Sequence, residues 1–117
     1  MATITPTNAL IGGNLQITWA AMAGGDVGAA YTNPAFFRLA SVQYDTGTWG
    51  TSTLTFQGSN DGTNYYTLAD PQGNALSKIA NGLEVILEAP LYYRPSFGAG
   101  TGSALSVVLA FTARQPG

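Results

Sequence analysis

The sequence of 117 residues contains no cysteine and no histidine. Without cysteine, the fold has no disulfide and no thiolate metal site. Without histidine, it lacks the commonest metal ligand and the side chain most often used as a general base near neutral pH. These two absences restrict the chemistry open to the chain, and they favour a protein that is not an enzyme.

Charge is also scarce. Lys, Arg, Asp and Glu together make up 9% of the chain, whereas an average soluble domain has about 25%. The charges are scattered and sum to −2, so no basic patch is available to bind nucleic acid. A free monomer with so few charges is prone to self-association. We therefore expect partners to cover much of the surface.

Long apolar runs and targeting signals are missing too. No stretch approaches the roughly 20 apolar residues of a membrane-spanning helix, so no membrane partner is expected. Residues 1–5 lack the basic and apolar segments of a secretory signal. Residues 98–102 are rich in glycine but lack the lysine of a phosphate loop, and no cofactor is expected. These features predict a protein made in a cytoplasm that stays there or leaves inside a larger particle.

Turn-forming residues are abundant, with 15 glycines and 6 prolines, and they separate short runs that alternate or are densely apolar. Leu15, Ile17 and Trp19, for example, alternate with polar residues and share one face of a strand. The pattern predicts an all-β fold: an antiparallel β-sandwich of seven or eight strands, jelly-roll or immunoglobulin-like, with a closed barrel as the alternative. We expect an extended N-terminal arm over residues 1–13 and a single sandwich domain over residues 14–117.

Two shorter segments give more local predictions. Residues 22–35 are mostly small and predict a loop with a short helical turn around residues 27–30. Residues 59–64, Ser-Asn-Asp-Gly-Thr-Asn, are the strongest turn signal, because Asn, Asp and Gly tolerate positive φ. They predict a hairpin held by Asx hydrogen bonds. Its turn residues are Asn60, Asp61, Gly62 and Asn64.

The acidic residues do not form a catalytic or metal-binding pattern. The turn at residues 59–64 contains one carboxylate, which is too few for a tight calcium site, so no metal site is assigned. Glu84 and Glu88 lie about 13 Å apart if both are in one strand. An acid–base pair of a glycosidase needs roughly 5–9.5 Å. We interpret both glutamates as solvent-facing residues, and no catalytic residue is assigned.

Three aromatic doublets occur in the chain: Phe36-Phe37, Tyr65-Tyr66 and Tyr92-Tyr93. Neighbouring residues in a strand point to opposite faces, so each doublet can place one ring in the core and one outside. The alternative is that both rings are hidden. Outward rings and the apolar residues of the arm are candidates for partner contacts, where Tyr and Phe are enriched. The candidates are Ile4, Leu10, Ile11, Tyr31, Phe36, Trp49, Tyr65 and Tyr92.

Residues 40–97 contain an ordered series of segments. The hairpin and Tyr65-Tyr66 are followed by an Asp-x-Gln-Gly-Asn-Ala turn at residues 70–75 and by Tyr-Tyr-Arg-Pro at residues 92–95. The series resembles small β-sandwich virion structural proteins of tailed bacteriophages. The resemblance implies a capsid cement or decoration protein on the outside of the head. Its partners would be the major capsid protein and copies of itself, as a homotrimer.

The same resemblance leaves other functions open. A tail, baseplate or head-fibre component would use similar trimeric β modules. A similar hairpin occurs in discoidin-like domains, which implies a carbohydrate-binding module as a second alternative. In that case Trp49, Tyr65 and Tyr31 would stack on sugars, and the polar side chains of the hairpin turn would bond to hydroxyl groups: Asn60, Asp61 and Asn64.

Overall fold

The computed structural model describes residues 2–11, 14–32 and 37–113. Within these ranges it has twelve strands and no helix, and no segment there forms a helix able to span a membrane. The strands are β1 (Thr3–Ile4), β2 (Thr7–Ile11), β3 (Asn14–Met22), β4 (Val27–Gly28), β5 (Tyr31–Thr32), β6 (Phe37–Asp45), β7 (Leu54–Ser59), β8 (Tyr66–Thr67), β9 (Ser77–Lys78), β10 (Gly82–Ile86), β11 (Tyr92–Phe97) and β12 (Leu105–Ala113).

The strands form two sheets that share one core. The five-stranded sheet has the order β10-β6-β12-β3-β2. The seven-stranded sheet has the order β1-β4-β11-β7-β8, with β5 also paired to β11 and β9 also paired to β7. The pairing of β1 with β4 is parallel, and the other pairings described are antiparallel. The predicted all-β sandwich is confirmed.

The strand order is that of a jelly roll. β4 and β5 both pair with β11, and β8 and β9 both pair with β7, so each couple is one interrupted strand. Counted this way, and without β1 and β2, the two sheets read β10-β6-β12-β3 and β4/β5-β11-β7-β8/β9. These are the two four-stranded sheets of an eight-stranded jelly roll. The upper strand number of the sequence prediction therefore matches the structure.

Alternate residues of both sheets build the core. Trp19 on β3 contacts Phe56 on β7, with ring centroids 6.2 Å apart, and Tyr93 on β11 contacts Phe111 on β12 at 5.3 Å. The indole Nε1 of Trp19 donates a hydrogen bond to the Ala29 carbonyl (2.9 Å), so its buried polar atom has a partner. Edge-to-face aromatic pairs of this kind contribute about 0.5–1.5 kcal/mol beyond their buried area.

Residues of the predicted N-terminal arm pair with the sheets of their own chain. β1 lies beside β4 and β2 beside β3. The carboxylate of Asp26 holds the start of the chain in place, because it accepts hydrogen bonds from the backbone N–H groups of Ala23 and Ala2, both at 2.9 Å. These bonds hold the pKa of Asp26 below its usual value. Asp26 itself is buried.

The helical turn predicted around residues 27–30 is wrong. Residues 27 and 28 form β4, which pairs with β1 on one side and β11 on the other. A Cβ atom at Gly28 would lie 2.5 Å from Pro95 and 2.7 Å from Trp19, so glycine allows a close approach that a larger residue would block. Pairing with strands that are distant in sequence determines the conformation of this segment. Its composition of small residues does not determine it. Phe36, the predicted start of the next strand, lies outside the described residues.

Candidate functional site

Large apolar side chains are exposed along the segment from the end of β9 to the start of β11. We define the apolar edge as Ile79, Leu83, Val85, Leu87 and Leu91, whose exposed fractions are 48–70%. In the described part of the chain, the other large apolar side chains this exposed are Leu10 and Tyr66. Most of the exposed apolar surface of large side chains is therefore concentrated within thirteen consecutive residues, 79–91.

The register of β10 explains this exposure. β10 is the outer strand of the five-stranded sheet and pairs with β6. Leu83 lies opposite Gln43 and Val85 opposite Ser41, whereas Ile86 lies opposite the buried Ala40. Because side chains alternate between faces, Leu83 and Val85 point away from the core and Ile86 points into it.

The outward face next to the apolar edge is nearly uncharged. One row of opposite residues crosses all five strands as Thr7, Thr18, Val108, Gln43 and Leu83. The next parallel row runs through Ala9, Gln16, Ala110, Ser41 and Val85. Neither row contains a charge. The apolar edge thus continues into a sheet face of small, polar and apolar side chains.

The sequence suggested that Glu84 faces solvent, but in the structure it does not. It shares the inward face of β10 with Ile86, and one oxygen of its carboxylate lies 3.6 Å from Lys78 Nζ, with both side chains about a quarter exposed. Since Lys78 is on β9 of the other sheet, the ion pair spans the gap between the two sheets. Burial, the charge of Glu84 and a hydrogen bond to it raise the pKa of Tyr44 to about 12. Glu88 is exposed, as predicted.

The hairpin predicted at residues 59–64 is confirmed. It joins β7 to β8, with Gly58 opposite Tyr66. Oδ1 of Asp61 accepts hydrogen bonds from the backbone N–H groups of Asn64 and Thr63, both at 2.8 Å, and Oδ2 accepts one from the side-chain amide of Asn64 at 2.8 Å. These bonds hold the pKa of Asp61 far below its usual range. The predicted Asx-bonded turn is therefore present.

A second aspartate organises the predicted turn at residues 70–75 in the same way. Oδ1 of Asp70 accepts hydrogen bonds from the backbone N–H groups of Asn74 (2.9 Å) and Gln72 (3.0 Å). Gly73 has a φ of 87°, which favours glycine at this position. The bond from Asn74 is the main reason why the pKa of Asp70 is lowered.

A cleft of about 500 Å³ lies beside the first of these turns, between the hairpin and residues 88–90. Gly58 lies behind it, where a Cβ atom would be 2.5 Å from Pro90 and 2.8 Å from Leu68. Asn60 Oδ1 accepts a hydrogen bond from the Leu91 N–H (3.0 Å), and Glu88 Oε1 accepts one from the Ala69 N–H (2.8 Å). The two walls are thus tied to the rest of the sandwich. Tyr66 lines the cleft and is 72% exposed.

The aromatic candidates for partner contacts pack against the body of the protein. The Tyr31 ring lies 6.1 Å from Phe111. Trp49 contacts the Tyr44 and Phe97 rings, at 6.3 and 5.8 Å, and its Nε1 donates a hydrogen bond to Asn81 Oδ1 (2.7 Å). Tyr31 and Trp49 are both half-buried, and Tyr44 is buried.

Other predicted contact residues are distributed differently. Tyr65 is half-buried below Arg94, whose guanidinium carbon lies 3.8 Å from the ring centroid. Tyr92 is half-buried, Ile4 packs against the core and Leu10 is exposed. The Ile11 side chain and all of Phe36 lie outside what the structure describes. Among the described candidates, Leu10 is largely exposed and the others are partly buried.

Sequence reasoning missed the apolar edge and Tyr66. The signal for the edge was present, because Leu83, Val85 and Leu87 alternate with Glu84 and Ile86. An apolar face of a strand is usually the core face, and that assumption hides an exposed one. Among the described residues no group of three or more carboxylates is placed to hold a metal ion.

Comparison with known proteins yields a structural match. No family model matches the sequence, and no curated protein sequence matches it. The crystal structure of SPBc2 prophage-derived protein YomS superposes with a TM-score of 0.63 at 13% identity, covering 90% of this chain and all (100%) of that one. Peruvianin-I, a cysteine peptidase from Thevetia peruviana latex, gives 0.45 at 16% identity over 89% of this chain and 52% of that one, too distant to bear on function.

The fold and the first match together define what kind of protein this is. The chain is a jelly-roll β-sandwich protein that shares its fold with a protein derived from a prophage. At 13% identity this match is a likeness of fold.

Proposed function

We propose that the chain is a structural component of a bacteriophage virion, of the capsid cement or decoration type. It attaches to the outside of the head as a homotrimer and stabilises the shell. It contacts the major capsid protein and neighbouring copies through non-covalent surfaces, without catalysis or a cofactor. It is made in the host cytoplasm and ends on the capsid surface.

The apolar edge is the observation that carries this proposal. Fully burying a Leu, Ile or Val side chain contributes about 1.5–3 kcal/mol, and the five side chains of the edge are each about half exposed or more (48–70%). An apolar patch of this kind on a protein with few charges marks an interaction surface. Symmetry multiplies modest contacts, so a capsid-bound trimer does not need one deep pocket.

The geometry of β10 suits a protein partner. One side of β10 pairs with β6, and no other strand among the described residues pairs with its second side. An exposed edge strand can accept a strand from another chain through backbone hydrogen bonds, while alternate side chains such as Leu83 and Val85 provide specificity. The prophage-derived neighbour, the low charge and the segment series of residues 40–97 support a phage particle as the setting.

The test compares two double variants with the same change in charge. Leu83→Glu/Leu87→Glu alters the apolar edge, and Gln72→Glu/Ala99→Glu places the same charges at exposed sites in two loops. Each protein is mixed with empty heads assembled from the major capsid protein of the same genome, and bound protein is measured by co-sedimentation. Light scattering after size-exclusion chromatography gives the oligomeric state, and thermal unfolding verifies the fold.

We expect the wild type and the loop variant to be trimeric and to bind heads. We expect the edge variant to bind at least tenfold more weakly, about 1.4 kcal/mol, because its apolar contacts are replaced by charge. The proposal fails if the folded wild type does not bind heads or if the edge variant binds equally well. Binding to purified tails and not to heads would indicate a tail, baseplate or head-fibre component.

A further inference from the structure

The cleft beside Tyr66 contains groups that a protein-docking edge does not require. Its lining combines an exposed aromatic ring with amide, carboxylate and hydroxyl groups from Asn60, Glu88 and Thr67. We propose that this cleft binds a neutral carbohydrate, with the Tyr66 ring stacked on one face of a sugar. This activity goes beyond capsid attachment and does not depend on it.

The cleft is preformed. The Asp61 network fixes the hairpin turn, and the bond from Leu91 N–H to Asn60 ties that turn to the opposite wall. The bond from Ala69 N–H to Glu88 Oε1 fixes the second wall. A site whose walls are already ordered loses little conformational entropy when a ligand binds. Its volume of about 500 Å³ lies within the usual range of about 300–1,000 Å³ for ligand pockets.

The available groups match the chemistry of a sugar ring. A pyranose has an apolar C–H face and an edge of hydroxyl groups that both donate and accept hydrogen bonds. Among the described residues, the Tyr66 ring stacks on no other ring and its hydroxyl has no hydrogen-bond partner. Glu88 uses Oε1 for the Ala69 N–H, which leaves Oε2 as an acceptor, and the amide N–H groups of Asn60 are donors.

Charge selects a neutral ligand. The lining includes the carboxylates of Asp61 and Glu88 and no lysine or arginine. Two negative groups in an open cleft repel phosphates, carboxylates and sialic acids. They accept hydrogen bonds from neutral hydroxyl groups at no such cost.

The structure changes which aromatic residue has this role. Tyr31 and Trp49, the sequence-based candidates for stacking, pack against other rings, and Tyr65 packs against Arg94. None of them lines the cleft, whereas Tyr66 does. The polar candidates do line it: Asn60, Asp61 and Asn64.

The test is a titration of the full chain followed by two-dimensional ¹H–¹⁵N NMR. The neutral probes are D-glucose, D-galactose and N-acetyl-D-glucosamine, and the anionic probes are N-acetylneuraminic acid and inorganic phosphate. We expect at least one neutral sugar to shift resonances of residues 58–68 and 88–91 saturably, and we expect the anionic probes not to do so.

Tyr66→Ala and Tyr65→Ala form a matched pair, since they remove neighbouring rings of which one lines the cleft. We expect Tyr66→Ala to weaken sugar binding about tenfold, as the loss of an aromatic contact, and Tyr66→Trp and Tyr65→Ala to bind as the wild type does. The exposure of Tyr66 makes its variants compatible with folding, which thermal unfolding verifies. The proposal is overturned if no neutral sugar shifts the cleft resonances, if only the anions do, or if Tyr66→Ala binds as tightly as wild type.

Discussion

β2 and β10 occupy opposite edges of the same five-stranded sheet, and each is five residues long. β2 exposes Thr7, Asn8 and Ala9. Among its described side chains, Leu10 is the large apolar one that is exposed. β10 exposes Leu83 and Val85 on its outward face, and Leu87 follows directly. The two edges therefore have the same backbone arrangement and different side-chain chemistry.

This difference indicates which edge is suited to a partner. Exposed sheet edges tend to pair with other chains, and proteins limit this with short, polar or charged edge strands. β2 fits that description, with small and polar residues along most of its length. β10 does not, because its one charged residue, Glu84, faces inward toward Lys78. An apolar edge strand that has no outward-facing charged residue favours a bound partner.

The largest expected effect separates the two faces of β10. Ile86 is buried and Leu83 is exposed on the same strand. Ile86→Ala should lower the free energy of unfolding by about 2–5 kcal/mol, because it leaves a cavity. Leu83→Ala should change it by no more than about 0.5 kcal/mol. Urea unfolding measures both, and equal losses would contradict the assigned faces.

The next effect compares the two edges in assembly. Leu83→Glu should weaken head binding by about 2 kcal/mol, roughly 30-fold, if β10 is in the centre of the contact. Leu10→Glu adds the same charge beside β3 and should leave binding within about twofold of wild type. Both substitutions are at exposed sites, so both variants should fold. A larger loss for Leu10→Glu would assign the contact to the N-terminal residues, as the sequence suggested.

A smaller effect concerns how the N-terminal residues are held. Asp26→Ala leaves the backbone N–H groups of Ala2 and Ala23 without their acceptor. The free energy of unfolding should fall by about 1–2 kcal/mol. Hydrogen exchange should become faster in β1 and stay unchanged in β10. Equal exchange changes at both places would mean that Asp26 acts on the whole fold and not on the N-terminal residues.

The pH dependence follows from the same contacts. The pKa of Asp26 is lowered in the folded state, whereas an aspartate of the unfolded chain titrates near about 3.9. Its stabilising contribution is therefore complete above that unfolded pKa and is lost as the pH falls through the lower folded pKa. When the pH falls from about 5 to about 2, the free energy of unfolding should decrease less for Asp26→Asn than for the wild type. A parallel loss in the two proteins would contradict the assignment.

The smallest effect is that of the ion pair beside the apolar edge. Lys78 and Glu84 are partly exposed, so their coupling in a double-mutant cycle with Lys78→Gln and Glu84→Gln should be about 0.5 kcal/mol. It should shrink in 1 M salt, where the Debye length is about 3 Å. Tyr44→Phe serves as a control, because Tyr44 is hydrogen-bonded to Glu84. A coupling that salt does not change would indicate that Glu84 acts mainly through Tyr44.

Prediction from the sequence succeeded where short-range patterns are sufficient. Ile17 and Trp19 on β3 are buried on one face, as expected. The alternate apolar residues of β12 are buried in the same way: Leu105, Val107, Leu109 and Phe111. The turn at residues 59–64 formed as predicted, because the Asp61 carboxylate reaches backbone N–H groups two and three residues further along. Interactions over so few residues depend little on the rest of the fold.

The candidate site was predicted less well, because exposure is not a local property. Alternation shows that Leu83, Val85 and Leu87 share a face, but the layer of the other sheet determines whether that face is covered. The position of β10 outside β6 leaves it uncovered. Likewise, Tyr65 is partly covered by Arg94, 29 positions later in the sequence, whereas nothing comparable covers Tyr66.

The residues alone therefore established an all-β sandwich, its main turns and a surface poor in charge, since composition and period-two alternation express these directly. The jelly-roll strand order, the pairing of residues 3–4 and 7–11 with their own chain, the apolar edge and the Tyr66 cleft arose from contacts between segments far apart in sequence. The physical reason is that hydrogen bonds between strands and burial between sheets join such segments, and no local pattern encodes which segments will meet.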